Sequence, residues 1–126
     1  MSERRYLTIE EALHVHRLQI ASKGGASGVR DPGQLSAAVF RPQSGYYPDL
    51  IAEAAALWES LSQNHPFVDG NKRTAFTSAG LFLGINGLRI VATADQATEF
   101  ILGMYERGDF AFDKLDTWLR ANTASR

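Results

Sequence analysis

The sequence predicts an all-α protein folded as one compact domain of about six helices. Three observations carry that expectation. Apolar residues recur at steps of three and four in successive stretches of the chain. Thr8 with Glu11, Asp31 with Gln34 and Thr93 with Gln96 each set a capping residue three positions before Glu or Gln, the spacing of a capping box. A length of 126 residues with 44% hydrophobic content suffices for one buried core, and no repeat, low-complexity tract or linker divides residues 1–126.

The first helix is read over residues 8 to 21, where Ile9, Leu13, His16 and Ile20 form one stripe behind the N-cap Thr8. KGGASGVRDPG stops it, and Asp31 then starts a short helix over 32 to 40 with Pro32 at its first position. RPQSGYYPD, residues 41 to 49, holds two prolines and a glycine and reads as a loop or small hairpin. Leu50, Ala54, Leu57, Trp58 and Leu61 mark a helix from Leu50 to about Asn64. After the HPFVDGN turn, Ala75, Phe76, Ala79, Phe82 and Leu83 mark the next. Asn86-Gly87 ends that helix, LRIVA is a short extended segment, Thr93 opens a helix to about Arg107, and Leu115, Trp118 and Leu119 belong to a last one over 112 to 121.

A formal net charge of −1 with 21% charged residues argues against direct nucleic-acid binding through a broad basic face, so any anion is bound locally. The absence of cysteine excludes disulfides, thiolate metal sites and a cysteine nucleophile. MSERRYLTIEEAL has no apolar h-region, and no apolar run approaches the roughly 20 residues that span a bilayer. The expectation is a cytoplasmic protein with no membrane partner, with Arg4 and Arg5 in a solvated tail.

HPFVDGNKRT, His65 to Thr74, is the stretch that ordinary helix grammar leaves unexplained. That grammar accounts for His65 near a helix C-terminus, Pro66 after it, the turn pair Asp69-Gly70 and Asn71 as an N-cap. It does not account for Lys72 and Arg73 in a first turn that already carries about half a positive charge. A docked phosphate chain would: the backbone N–H groups of Gly70, Asn71 and Lys72 would face its oxygens and the cations would neutralise it. His14 and His16, two apart, do not share a helix face and make no metal site with His65. KGGASG lacks the strand and the Gly-Lys-Ser/Thr ending of a P-loop and reads as a plain glycine turn.

HPFVDGNKR resembles the signature loop of the Fic/Doc family, commonly HPFx(D/E)GN(G/K)R, and lies between two helices as that family requires. GGASGVRDPGQLSAAVFRPQS is similar to the upstream segment of the death-on-curing (Doc) branch, and NKRTAFTSAGLFLGINGL to the helix that follows the loop there. The resemblance runs from about residue 8 to 120 and implies a compact Fic-type domain with a flap at 41–49. It implies an enzyme using ATP and Mg²⁺, with His65 as general base for a protein hydroxyl, a role suited to imidazole near neutral pH. Asp69 would hold the Mg²⁺, Gly70, Asn71 and Lys72 would cradle the phosphates, and Arg73 would clamp them bidentately. Phe67 would anchor the loop in the core. Tyr46 and Tyr47 would line the target-binding flap, and both are equally readable as packing residues.

Two departures bear on the chemistry. Adenylyl-transferring members commonly read GNGRxxR, whereas this chain has Lys72 at the second glycine and Phe76 at the second arginine. The Doc branch shares the lysine. The expectation is therefore a toxin acting as a protein kinase, with adenylyl transfer, or an antitoxin-docking co-regulator without catalysis, as alternatives. Elongation factor Tu is the target by family analogy alone. No glutamate closes an (S/T)xxxE(G/N) inhibitory motif, so inhibition is expected in trans from a cognate antitoxin.

Overall fold

The computed structural model describes residues 3–126. Among these, six α-helices and two three-residue strands follow in the order α1 (Ile9–Lys23), α2 (Pro32–Phe40), α3 (Leu50–Gln63), α4 (Asn71–Ile85), β1 (Leu88–Ile90), α5 (Ala94–Arg107), α6 (Phe112–Ala121) and β2 (Thr123–Ser125). The all-α expectation holds. Residues 41–49 take the loop alternative, opening with a 3₁₀ turn over Arg41–Ser44 rather than a hairpin.

Helix α3 is the axis of the fold. Ala52 through Trp58 are buried without interruption, followed by Ser60, Leu61 and Ser62, because α2, α4 and α6 pack around it. Trp58 is fully buried among aromatic rings: Phe76 at 5.1 Å, Trp118 at 5.8 Å, Phe100 at 6.3 Å and Phe110 at 6.5 Å between centroids. Burying a side chain of that size contributes about 2–3 kcal/mol. Position 76, where an arginine stands in adenylyl-transferring members, is thus packed against the core tryptophan.

Three local expectations need correction, and one element was not foreseen. In α1 the buried face is Ala12, Val15 and His16, rotated from the stripe read in the sequence, with Ile9, Leu13 and Ile20 at its edge. The boxes at Thr8 and Thr93 form in both directions. That at Asp31 is half-formed: its carboxylate accepts from the Gln34 N–H, but its own N–H donates to the Pro66 carbonyl at 3.1 Å. Arg4 and Arg5 are not a solvated tail. Arg4 pairs with Glu53 at 3.0 Å, Arg5 pairs with Glu11 at 2.7 Å, and the Arg5 N–H donates to the Asn86 side chain. Lastly, residues 123–125 form a strand that pairs antiparallel with β1, in register Leu88 with Ser125 and Ile90 with Thr123.

Candidate active site

The loop between α3 and α4 is built around a tight reversal. His65 has φ of 49°, and among the described residues it is the non-glycine with positive φ. A residue with a Cβ enters this left-handed region at a cost of about 1 kcal/mol or more. Gly70, with φ of 75°, makes the second reversal and is the N-cap of α4. Between them Phe67 is 1% exposed, and its ring lies parallel to that of the buried His16 at 3.9 Å. The sequence-based role of Phe67 as an anchor agrees with this placement. His16 is a satisfied buried residue, its Nε2 2.8 Å from the Asp69 carbonyl.

Asn71 is not the N-cap that helix grammar suggests. It is the first residue of α4, and its side-chain amide closes the loop by accepting from the Phe67 N–H at 2.9 Å and donating to the Phe67 carbonyl at 3.0 Å. The first-turn N–H groups left open accordingly differ from the set the sequence suggested. The Gly70 N–H is engaged by Asp69 Oδ1 at 2.8 Å, and the first intrahelical backbone bond is from Thr74 N–H to the Gly70 carbonyl. The N–H groups of Asn71, Lys72 and Arg73 are the open ones of the first turn.

Asp69 is exposed and held at both oxygens, because Oδ2 accepts from the Ala26 N–H at 3.2 Å. The hydrogen bonds from Gly70 and then Ala26 hold its carboxyl below the usual carboxylate range, so it is ionised at neutral pH. Among the described residues no group of three or more His, Asp or Glu could hold a metal by itself. As an exposed, ionised carboxylate, Asp69 can offer an oxygen to a Mg²⁺ whose other positions are filled by water and non-protein oxygens. His65, Val68, Asp69, Gly70, Asn71, Lys72 and Arg73 line one open groove of about 330 Å³.

The two cations point elsewhere in part. Lys72 Nζ lies 4.0 Å from the centroid of the Tyr105 ring, and Arg73 donates from Nη2 to the Gly24 carbonyl at 3.1 Å. Both also line a neighbouring groove of about 340 Å³ with Gln19, Phe76 and Ile101. In the flap, the Tyr47 hydroxyl accepts from Arg41 Nε at 2.6 Å and its ring packs on Phe112, whereas Tyr46 is 84% exposed. Tyr47 thus packs against Arg41 and Phe112, and neither tyrosine is among the residues that line the groove beside His65.

Sequence reasoning missed the partner of this loop, the α1–α2 connection that read as a plain glycine turn. Besides the bond that the Gly24 carbonyl accepts from Arg73 and the one that Ala26 N–H donates to Asp69, the Gly28 carbonyl accepts from Val68 N–H at 3.0 Å and Val29 bridges Phe67. Gly25 has φ of 113°, which favours glycine, and a Cβ there would meet Asp69 Oδ2 at 2.6 Å and displace the carboxylate. The adjacent Gly24-Gly25 pair was the available signal.

The match to known proteins falls on this same geometry. The family model described as Fic/DOC matches residues 6–83, from the start of α1 through the motif loop and α4. The chain is 52% identical over 77 residues to the protein named Toxin Doc of Mycolicibacterium smegmatis, a match covering 57% of this chain and 59% of that protein. It is 34% identical over 97 residues to the protein named Protein kinase doc of Escherichia phage P1, covering 74% of this chain and 77% of that one. With the signature loop, the helices on either side of it and most of the chain matched, this protein belongs to the Fic/DOC family.

Proposed function

We propose that this protein is a Doc-type toxin that transfers the γ-phosphoryl group of ATP to a hydroxyl of a target protein. The observation that carries the reading is the pairing of an exposed imidazole, His65, with the open first turn of α4 across one groove. The phage relative named as a protein kinase supports phosphoryl transfer as the reaction, as does Lys72 in place of the glycine of adenylyl-transferring members.

In this reading the N–H groups of Asn71, Lys72 and Arg73 bind the phosphate chain at the positive end of the α4 dipole. Asp69 holds Mg²⁺, which supplies charge neutralisation to the phosphates when bound. His65 accepts the proton of the target hydroxyl as its oxygen forms a bond to the γ-phosphorus. The bond from that phosphorus to the bridging β-oxygen breaks, and ADP departs. Positioning and charge account for the catalysis, as phosphoryl transfer requires.

A second reading, adenylyl transfer, keeps the same base and the same loop with the nucleotide turned round. The half-buried Phe76, packed on Trp58, leaves that reading without its second arginine. The partners proposed are a cognate antitoxin acting in trans and a cytoplasmic protein substrate, with elongation factor Tu as the family-level candidate. Isotope-labelled ATP in a cell lysate tests the activity: wild type should label a discrete protein and His65→Ala should not. Equal labelling by both would remove His65 from the reaction.

A further inference from the structure

His65 needs something to hold it where it is. It sits at the C-terminal end of α3 in left-handed conformation, at a point where the last carbonyls of the helix have no intrahelical donor. Its exposed ring is held by no hydrogen bond within the described residues, so the backbone beneath it fixes the point and the Cα–Cβ direction from which the imidazole projects.

That backbone is gripped mainly by Arg30, with help from Asp31. Arg30 Nε donates to the His65 carbonyl at 2.6 Å and its Nη2 to the Asn64 carbonyl at 3.0 Å. The Arg30 backbone N–H donates to the next carbonyl, Pro66, at 2.8 Å, and Asp31 N–H reaches the same oxygen at 3.1 Å. Three consecutive carbonyls, 64 to 66, are thus fixed from a segment more than thirty residues upstream. A planar guanidinium is the side chain that reaches two such oxygens from one rigid fork, which an ammonium does not match. Its charge also opposes the negative end of the α3 dipole.

The geometry points to Arg30 as the positioning residue for His65: it bridges the Asn64 and His65 carbonyls and so holds the imidazole at the groove. This rests on the proposed role of His65 as base. Arg30 is not among the residues that line the groove, so the proposal requires nucleotide affinity to survive its replacement.

The test uses Arg30→Met and Arg30→Lys in the full chain, with two readouts. The first is ¹⁵N relaxation of the backbone at Asn64 and His65. The second is the rate of label transfer from ATP at saturating nucleotide, alongside nucleotide affinity. In Arg30→Met both amides should gain mobility and the rate should fall about 10²-fold, the penalty of ångström-scale misplacement, with affinity within twofold of wild type. Arg30→Lys, which keeps one bond, should fall between. Unchanged order at His65 would overturn the clamp whatever the activity does. Loosened backbone with undiminished transfer would overturn the positioning role, whereas wild-type transfer by His65→Ala in the same assay would instead remove His65 as base. A parallel loss of affinity, rate and helix content in both variants would make Arg30 a general stabiliser and also overturn the proposal.

Discussion

Ala26 and Asp69, separated by 43 residues, meet through a 3.2 Å hydrogen bond in which the Ala26 N–H donates to Oδ2 of the carboxylate. The Gly70 N–H occupies the other oxygen, so the acid is oriented before any cation arrives. The approach is possible because residue 25 has no side chain and adopts φ of 113°. Gly25→Ala should push the carboxylate aside and weaken Mg²⁺-dependent nucleotide binding about tenfold, roughly 1.4 kcal/mol. Asp69→Ala should abolish the Mg²⁺ dependence altogether. Calorimetry with ATP in the presence and absence of Mg²⁺ checks both, and an unchanged affinity for Mg-ATP in Asp69→Ala would remove its metal role.

The backbone at His65 makes a stability prediction independent of catalysis. His65→Ala should keep the fold and lose transfer, because the side chain is exposed and contributes nothing to the core. His65→Gly should be more stable than His65→Ala by about 1 kcal/mol, since glycine alone occupies φ of 49° without a Cβ penalty. Urea denaturation of the two variants measures the difference. A less stable glycine variant would mean that the reversal at 65 is not left-handed in solution.

Lys72 is held over Tyr105, whose own ring stacks on Phe110 at 4.7 Å. A cation–π contact at an exposed site is worth about 0.5–1 kcal/mol. Tyr105→Leu should therefore cost that much together with the lost ring burial and the lost hydrogen bond to the buried Ser62 hydroxyl, and should free the lysine. Lys72→Gly should lose most phosphoryl transfer while His65 and Asp69 remain. Full activity in Lys72→Gly would reduce the lysine to a surface residue tied to α5.

Asp49 links α3 to α6. Its carboxylate caps α3 by accepting from the Ala52 N–H at 2.9 Å and pairs bidentately with Arg120 at 2.9 and 3.0 Å. The Arg120 hydrogen bonds, and after them that of Ala52, hold its carboxyl below the usual range. The contribution is full above the unfolded-state value of about 3.9 and is lost as pH falls through the lower folded-state value. Both side chains are nearly half exposed, so the ion pair itself contributes less than about 1 kcal/mol. Asp49→Asn keeps the cap and should cost less than that at pH 7, whereas Asp49→Ala loses both and should cost about 1–2 kcal/mol. Thermal melts at pH 7 and pH 3 should show the gap between wild type and Asp49→Asn closing at the lower pH.

What could be read from the sequence was what depends on near neighbours. The caps at Thr8 and Thr93 lie within one turn of their partners, and both form. The helix boundaries of α2 and α6 also agree to the residue. The half-formed box at Asp31 failed because Pro66, 35 positions away, takes the N–H that the box required. The motif loop identified His65, Asp69, Lys72 and Arg73 as one cluster, and the structure brings them to one groove. Its support from Ala26 and Arg30 was hidden, since neither residue type announces a carboxylate or carbonyl partner so far along the chain. The β1–β2 pair was missed because three residues are too few to show alternation.

The direction of the nucleotide is the centre of the account, and isotope placement measures it most directly. With ATP labelled in turn at the γ- and α-phosphates, the protein labelled in a lysate should take up only the γ label and gain about 80 Da by intact mass. Transfer of the α label with a gain of about 329 Da would make this protein an adenylyl transferase and contradict the placement assigned to Lys72.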